Sequence, residues 1–185
     1  MRVIAGSARR LLLKAPAGYE TRPTSDKVKE TLFNILMPDI YSDTRFLDLF
    51  AGSGAIGIEA LSRGAREAVF IESSRESALC IGKNLETTHF KDNATLLTCD
   101  VMSGLKRLEG TGSYGIIFMD PPYDRRYEKA VLEYLASSQL TDDETLIVVE
   151  AGKGTDFGYL DELGYETVKY REYKNNCHIF LRKRT

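Results

Sequence analysis

The sequence predicts an α/β fold of three layers, in which helices cover both faces of a mostly parallel sheet. Through the middle of the chain, short segments rich in Val, Ile, Leu and Phe alternate with segments of helical periodicity. Short loops between them are typical of βαβ units, whose strands are parallel. Two further strand-like segments close the chain around Lys174-Asn175-Asn176, a spacing that predicts a hairpin and an antiparallel C-terminal strand.

Each predicted strand is short, apolar and bounded by Gly, Asp or Pro, as buried strands are. The predicted strands are Arg45–Phe50, Glu67–Glu72, Ala94–Cys99, Gly115–Met119, Thr145–Glu150, Glu166–Tyr173 and Cys177–Arg182. Each predicted helix turns apolar side chains to one face. The predicted helices are Asp26–Leu36, Ala55–Arg63, Arg75–Thr87, Val101–Leu108 and Tyr127–Ser137. Residues 3–14 are expected to form a short strand or an irregular arm. We therefore expect residues 1–40 to be a basic arm and helix packed on a main domain of residues 41–185.

Composition limits the class of protein. A chain of 185 residues with 43% hydrophobic and 28% charged residues is long enough to bury a core and is typical of globular proteins. No apolar run approaches the roughly 20 residues that span a bilayer, and Arg9 and Arg10 interrupt the N-terminus before a signal-peptide core. We expect a cytoplasmic protein. The three cysteines and two histidines lack the close spacing of a zinc site, so we expect no metal.

The positive charge is concentrated at the N-terminus. The net charge is −2, yet residues 1–29 carry seven basic side chains against Glu20 and Asp26. The seven are Arg2, Arg9, Arg10, Lys14, Arg22, Lys27 and Lys29. A cationic arm on an acidic body fits a polyanionic partner that touches one face, and ordinary solvated surface charge accounts for the same distribution.

The first strand of the main domain runs into a glycine-rich loop and then a helix. Gly52, Gly54 and Gly57 form G-x-G-x-x-G in this required context, where a turn lets the backbone lie against a nucleotide-type ligand. Glu72 ends the next strand, where a carboxylate can accept hydrogen bonds from two ribose hydroxyls. Asp100-Val101 follow the third strand, where an acid can accept from an adenine amino group.

Asp48 helps to choose between two ligands that use such a loop. It lies within the first strand, four residues before Gly52. A buried acid repels the pyrophosphate of a dinucleotide but attracts the ammonium group of a methionine moiety. This favours S-adenosylmethionine over a nicotinamide dinucleotide.

The tetrapeptide Asp120-Pro121-Pro122-Tyr123 follows the fourth strand of the main domain. The two prolines fix the backbone and remove two N–H donors, so the loop presents carbonyl oxygens. The Asp120 carboxylate and the Pro121 carbonyl are placed to accept hydrogen bonds from an exocyclic amine, and the Tyr123 ring to stack on a base. Because the lone pair of an aromatic amine is delocalised, such acceptors help it to attack a methyl group. The tetrapeptide also occurs as a plain turn after a strand.

With these residues the chain resembles, nearly end to end, the bacterial 16S ribosomal RNA guanine-N2 methyltransferases of the RsmD type. The matching stretches are Arg2-Val3-Ile4-Ala5-Gly6, Thr21-Arg22-Pro23-Thr24-Ser25-Asp26-Lys27-Val28-Lys29-Glu30, the run from Asp48 to Ala65, and Asp120-Pro121-Pro122-Tyr123. The tetrapeptide is shared with adenine-N6 DNA methyltransferases, whereas the other stretches are more specific. Two segments depart from the family pattern, Arg10-Leu11-Leu12 and Tyr173-Lys174-Asn175-Asn176.

The resemblance implies a class I, Rossmann-like methyltransferase domain with a seven-stranded sheet, S-adenosylmethionine as methyl donor, and N2 of one guanine in small-subunit ribosomal RNA as acceptor. The RNA is expected either alone or with bound ribosomal proteins. Candidate RNA-binding residues are Arg9, Arg10, Lys14, Arg22, Arg125 and Arg126. Three alternatives stay open: a DNA adenine-N6 methyltransferase, a nicotinamide-dependent oxidoreductase, and a non-catalytic RNA-binding assembly factor.

Overall fold

A computed structural model describes residues 1–16, 25–122 and 127–184. It contains the predicted seven-stranded sheet. The strands are β1 (Arg45–Leu49), β2 (Glu67–Glu72), β3 (Ala94–Thr98), β4 (Ile116–Met119), β5 (Leu146–Gly152), β6 (Tyr165–Glu172) and β7 (Asn176–Lys183). Their order across the sheet is β3-β2-β1-β4-β5-β7-β6, and β7 runs antiparallel to both of its neighbours. The predicted fold class is therefore confirmed. Both strands of the C-terminal hairpin join the sheet. β7 pairs with β5, and β6 forms the exposed edge.

The helices cover both faces of the sheet. They are α1 (Asp26–Leu36), α2 (Ala55–Ser62), α3 (Arg75–Thr88), α4 (Val101–Leu108) and α5 (Tyr127–Ser137). Side chains from α1, α2 and α3 share one apolar core with one face of the sheet, and those from α4 and α5 share a second core with the other face. We call these the upper and the lower face. None of the helices in the described ranges is long and apolar enough to cross a lipid bilayer.

Local sequence signals account for most of the element boundaries. The side chains of Ser25, Ser74 and Asp100 cap the first turns of α1, α3 and α4, each by accepting from a backbone N–H of that turn. The bounds of α1, α4, α5 and β2 are those predicted, and other elements differ at their ends by one or two residues. For example, β1 ends at Leu49 because Phe50 has a left-handed backbone, with φ of 61°.

The N-terminal arm is irregular, with a single antiparallel bridge between Arg2 and Leu12. Its apolar side chains Val3, Ala8 and Leu13 are buried in the upper core. The Glu59 carboxylate on α2 accepts from the backbone N–H groups of Ile4 and Ala5, at 2.8 and 3.0 Å. The arm is thereby fixed to the helix that follows the glycine loop.

Candidate active site at the carboxyl edge of the sheet

The glycine loop makes a tight turn between β1 and α2. Gly52 and Gly54 have φ of 57° and 75°, a left-handed conformation that side chains beyond glycine rarely adopt. Gly57 lies within α2 where the helix touches the sheet, and a Cβ there would lie 2.4 Å from the Phe70 ring. The predicted roles of these glycines, turning the chain and allowing close packing, agree with this geometry.

Four carboxylates project from the upper face near the carboxyl ends of neighbouring strands. Asp48 lies opposite Phe70 and Phe118 in register, so its side chain shares their face. Glu72, Asp120 and Glu150 lie two residues beyond Phe70, Phe118 and Val148, which returns their side chains to that face. Among the described residues, no three His, Cys, Asp or Glu side chains are grouped so that they could hold a metal ion.

The Asp48 carboxyl lies beneath the start of α2. It is only 1% exposed, and Oδ2 accepts a hydrogen bond from the Gly57 N–H at 2.9 Å. Burial raises the pKa of Asp48 to about 8, with the Glu72 charge adding to the rise and the Gly57 hydrogen bond opposing it. The structure thus gives Asp48 a backbone partner that the sequence did not reveal. Its contact with a methionine ammonium stays a prediction.

Glu72 ties the glycine loop to the end of β2. Its two oxygens accept from the backbone N–H groups of Gly52 and Ser74, each at 2.7 Å. A carboxylate offers about four acceptor positions, so these bonds leave capacity for the predicted ribose hydroxyls. The carboxylate is held in position at the loop before any ligand binds.

Asp100 and Val101 stand at the beginning of α4. The exposed Asp100 carboxylate caps the helix by accepting from the Ser103 N–H at 3.0 Å. Hydrogen bonds from Ser103 lower the pKa of Asp100. Val101 is buried against the lower core. The proposed contact of this pair with adenine stays a prediction.

Asp120 and Pro121 extend β4 at the same edge. Burial raises the pKa of Asp120 well above its ordinary value, and the charges of Glu150 and Asp48 raise it further. Pro121 is buried and lines a pocket, while Pro122 is exposed. The other pocket-lining residues are Glu128, Glu150, Ala151, Gly152, Lys153, Gly154 and Thr155. Tyr123, Arg125 and Arg126 lie outside the described residues.

Comparison with known proteins decides the family. Residues 1–181 match the family described as Conserved hypothetical protein 95. The chain belongs to this family. The Ribosomal RNA small subunit methyltransferase D of Escherichia coli K12 is 42% identical over 82% of this chain and 74% of the relative. Its namesake in Haemophilus influenzae is 34% identical over 95% of this chain and 94% of the relative.

A solved structure extends the family match to three dimensions. The yhhF protein of Escherichia coli superposes with a TM-score of 0.85 at 33% identity, over 100% of this chain and 98% of that one. The resemblance to the RsmD-type family is confirmed, and so is the Rossmann-like methyltransferase fold.

Glu150 is a buried acid of the site that the sequence motifs do not indicate. Its carboxylate is 4% exposed and accepts from the Asn176 side-chain amide, and Oε2 lies 2.9 Å from Nε2 of the fully buried His178. The Tyr173 hydroxyl lies 3.2 Å from Nδ1 of the same histidine. The available signal is an acidic residue at the end of an apolar strand, the pattern that also predicts Glu72.

Two of the predicted RNA-binding residues lie together on the arm. Arg9 and Arg10 are exposed and line a shallow depression with Arg2 and Lys27. The acidic residues Asp26 and Glu30 also line it.

Lys14 has an exposed side chain, while its backbone N–H and carbonyl both bond to the buried Asn84 amide. The Asn84 amide also donates to the Ser53 carbonyl, at 2.9 Å, and so joins the arm to the glycine loop. Arg22 lies outside the described residues.

Proposed function

We propose that this protein transfers a methyl group from S-adenosylmethionine to the exocyclic N2 amine of a guanine in small-subunit ribosomal RNA. The observation that carries the proposal is the placement of the Asp120-Pro121 acceptors and the glycine loop along one edge of the sheet. Relatives covering most of the chain are named for methylation of small-subunit ribosomal RNA. Family membership supports the substrate, and the arrangement of acceptors supports an amine as the acceptor of the methyl group.

The charge of the site fits S-adenosylmethionine better than a dinucleotide. Asp48, Glu72, Asp120 and Glu150 are all acidic and share the upper face. A pyrophosphate would add negative charge beside them, whereas a sulfonium and an ammonium group neutralise them. Glu72 and the loop at Gly52 would hold the nucleoside, and Asp48 would face the methionine part. The cofactor supplies an activated methyl group when bound.

The described residues can prepare the amine for attack. We expect the Asp120 carboxylate and the Pro121 carbonyl to accept the two N2–H groups, which directs the nitrogen lone pair away from them. After the methyl group is transferred, N2 must lose one proton. The Asp120 carboxylate can take that proton, and burial, which raises its pKa, strengthens it as a base. Neutral N2-methylguanine and a protonated Asp120 result, and no covalent enzyme intermediate is required.

The arm provides the contact with the RNA backbone. Arg9 and Arg10 are exposed cations that can pair with phosphates. The arm is fixed through Glu59 and Asn84 to the elements that carry the glycine loop. RNA held there would lie on the same layer of helices as the glycine loop. We expect the protein to act in the cytoplasm on ribosomal RNA, alone or with bound ribosomal proteins.

Mass mapping of methylated nucleosides tests the proposal. Purified protein and labelled S-adenosylmethionine are incubated with small subunits, and separately with protein-free RNA, from cells that lack the gene. Appearance of N2-methylguanosine at one position supports the assignment. Formation of N6-methyladenosine, or methylation of DNA but not of RNA, would refute it. Binding of RNA without methyl transfer would favour the non-catalytic assembly factor.

A further inference from the structure

A second buried carboxylate stands beside Asp120, and the chemistry proposed above does not use it. Val149 of β5 is the register partner of Met119 of β4, so Glu150 and Asp120 leave parallel neighbours at the same level. Both side chains lie on the upper face, and the Glu150 charge contributes to the raised pKa of Asp120. Glu150 and Pro121 line the same pocket. Glu150 therefore lies beside the two proposed acceptors, the Asp120 carboxylate and the Pro121 carbonyl.

The C-terminal hairpin holds the Glu150 carboxylate in one orientation. The Asn176 amide donates to Oε1, and the His178 ring nitrogen lies 2.9 Å from Oε2. His178 is itself held by the Tyr173 hydroxyl and by an edge-on contact with the Phe118 ring, whose centroid is 6.2 Å away. Within the described part of the chain, these contacts use one acceptor position on each oxygen, and a carboxylate has about four. The remaining acceptor positions on the Glu150 oxygens are therefore held in a fixed direction and can accept a hydrogen bond from a ligand.

We propose that Glu150 is a specificity-determining residue that accepts a hydrogen bond from N1–H of the target guanine. The inference depends on the proposed function. Guanine presents N1–H and the N2 amine as adjacent donors on one edge. Neighbouring strands are about 4.8 Å apart, so acceptors at the ends of β4 and β5 can reach adjacent atoms of one base. Adenine presents an acceptor at N1, which a carboxylate repels.

The electrostatics of the pair favour this assignment. Two carboxylates side by side repel each other, which is why the Glu150 charge raises the pKa of Asp120. Donors from one guanine to both carboxylates would relieve that repulsion. The other charged residues that line the pocket, Glu128 and Lys153, are of opposite sign. A base with only one donor on this edge would leave the negative charge of one of the two buried carboxylates without a hydrogen-bond donor.

The competing explanation is that Glu150 only anchors the hairpin. Two variants separate the explanations. Glu150→Gln keeps the size of the side chain and can bond to both Asn176 and His178, but it loses the negative charge. Asn176→Ala removes a hairpin bond and leaves the carboxylate. If Glu150 contacts the base, single-turnover methyl transfer should fall about a hundredfold in Glu150→Gln and less than tenfold in Asn176→Ala. Cofactor affinity should change less than twofold in both. Equal losses in the two variants overturn the proposal.

A base analogue gives the decisive measurement. The target guanine, once mapped, is replaced by 2,6-diaminopurine through splinted ligation, in whichever form of the RNA the wild-type protein methylates. This base keeps the N2 amine but has a lone pair at N1. The wild-type protein should prefer guanine by at least about tenfold, and Glu150→Gln should reduce that preference at least tenfold, since the Gln amide can donate to N1. Equal wild-type rates on the two bases, or an unchanged preference in the variant, overturn the proposal.

Failure of the proposed function would give a different result from failure of the Glu150 proposal alone. In that case the wild-type protein makes a product other than N2-methylguanosine on unmodified RNA, before any variant or analogue is compared. A wild-type protein that makes N2-methylguanosine without discriminating against 2,6-diaminopurine would refute only the role of Glu150.

Discussion

Replacing Asp48 with Asn should stabilise the cofactor-free protein while weakening its binding of S-adenosylmethionine. Asp48 is 1% exposed, and Oδ2 accepts from the Gly57 N–H. Asn has nearly the same shape, and its carbonyl oxygen can accept the same bond. The substitution therefore removes the ionisable group with little change in packing.

The size of the effect follows from the two pKa values of Asp48. Burial raises its pKa from an ordinary 3.8 to about 8. Because the unfolded chain loses this proton more readily than the folded one, stability falls as the pH rises from about 4 to about 8. One pH unit of difference corresponds to about 1.4 kcal/mol, so the cost to the fold is about 1.6 kcal/mol at pH 5 and about 4.3 kcal/mol at pH 7. Asn at this position carries no such cost.

Urea unfolding of the cofactor-free proteins at pH 5 and pH 7 measures this cost. The stability gained by Asp48→Asn should be larger at pH 7 by about 2.7 kcal/mol. Asp92→Asn, which changes an exposed acid, is the control and should show no comparable difference between the two pH values. A gain for Asp48→Asn that is the same at both pH values would refute the reasoning. Calorimetry should also show weaker cofactor binding by Asp48→Asn.

Three further predictions concern the ligands. Glu72→Ala should lower S-adenosylmethionine affinity at least about tenfold. It should also lower the melting temperature, because Glu72 accepts hydrogen bonds from the Gly52 and Ser74 N–H groups. Unchanged affinity in calorimetry would contradict the ribose assignment. Neutralising both Arg9 and Arg10 should reduce the salt dependence of RNA binding by about one to two ion contacts. Neutralising the exposed cations Lys106 and Arg107 on α4 should leave it unchanged. If the Arg9/Arg10 variant and the wild-type protein have the same salt dependence, the two arginines are ordinary surface charges. Asp120→Asn should lower single-turnover methyl transfer about a hundredfold or more with little change in cofactor affinity, and retained activity would exclude it as an acceptor.

Most of the fold was predictable because its signals are local. Ser25 and Asp100 are capping residues that mark where helices begin, and Pro38 follows α1 closely. The glycine motif was recognisable because a strand precedes it and a helix follows. Such signals depend only on neighbours in sequence, and these elements accordingly have the predicted bounds to within two residues.

The contacts that complete the site depend on strand order, which local patterns do not determine. Glu150 meets His178 because β7 inserts between β5 and β6 and places the two residues opposite each other. A hairpin packed with β6 next to β5 would have separated them. Likewise, the bond between Asn84 and the Lys14 backbone joins residues 70 positions apart. The predicted contacts of Asp48, Asp100 and Lys14 with ligands still await experiment.

The separation of charge on this protein implies how an RNA must approach it. The acidic residues at the carboxyl edge repel phosphates but attract the N–H donors of a base and the positive groups of the cofactor. The exposed cations Arg9 and Arg10 lie on the arm, which Glu59 and Asn84 fix to the same layer of helices as the glycine loop. If the proposed guanine contacts Asp120 and Glu150, we expect it to turn away from its own backbone, because the acidic edge repels the phosphates that the arm attracts. On this reasoning the acidic pocket selects the base and the basic arm supplies affinity, so raising the salt concentration should weaken RNA binding without changing which base is methylated.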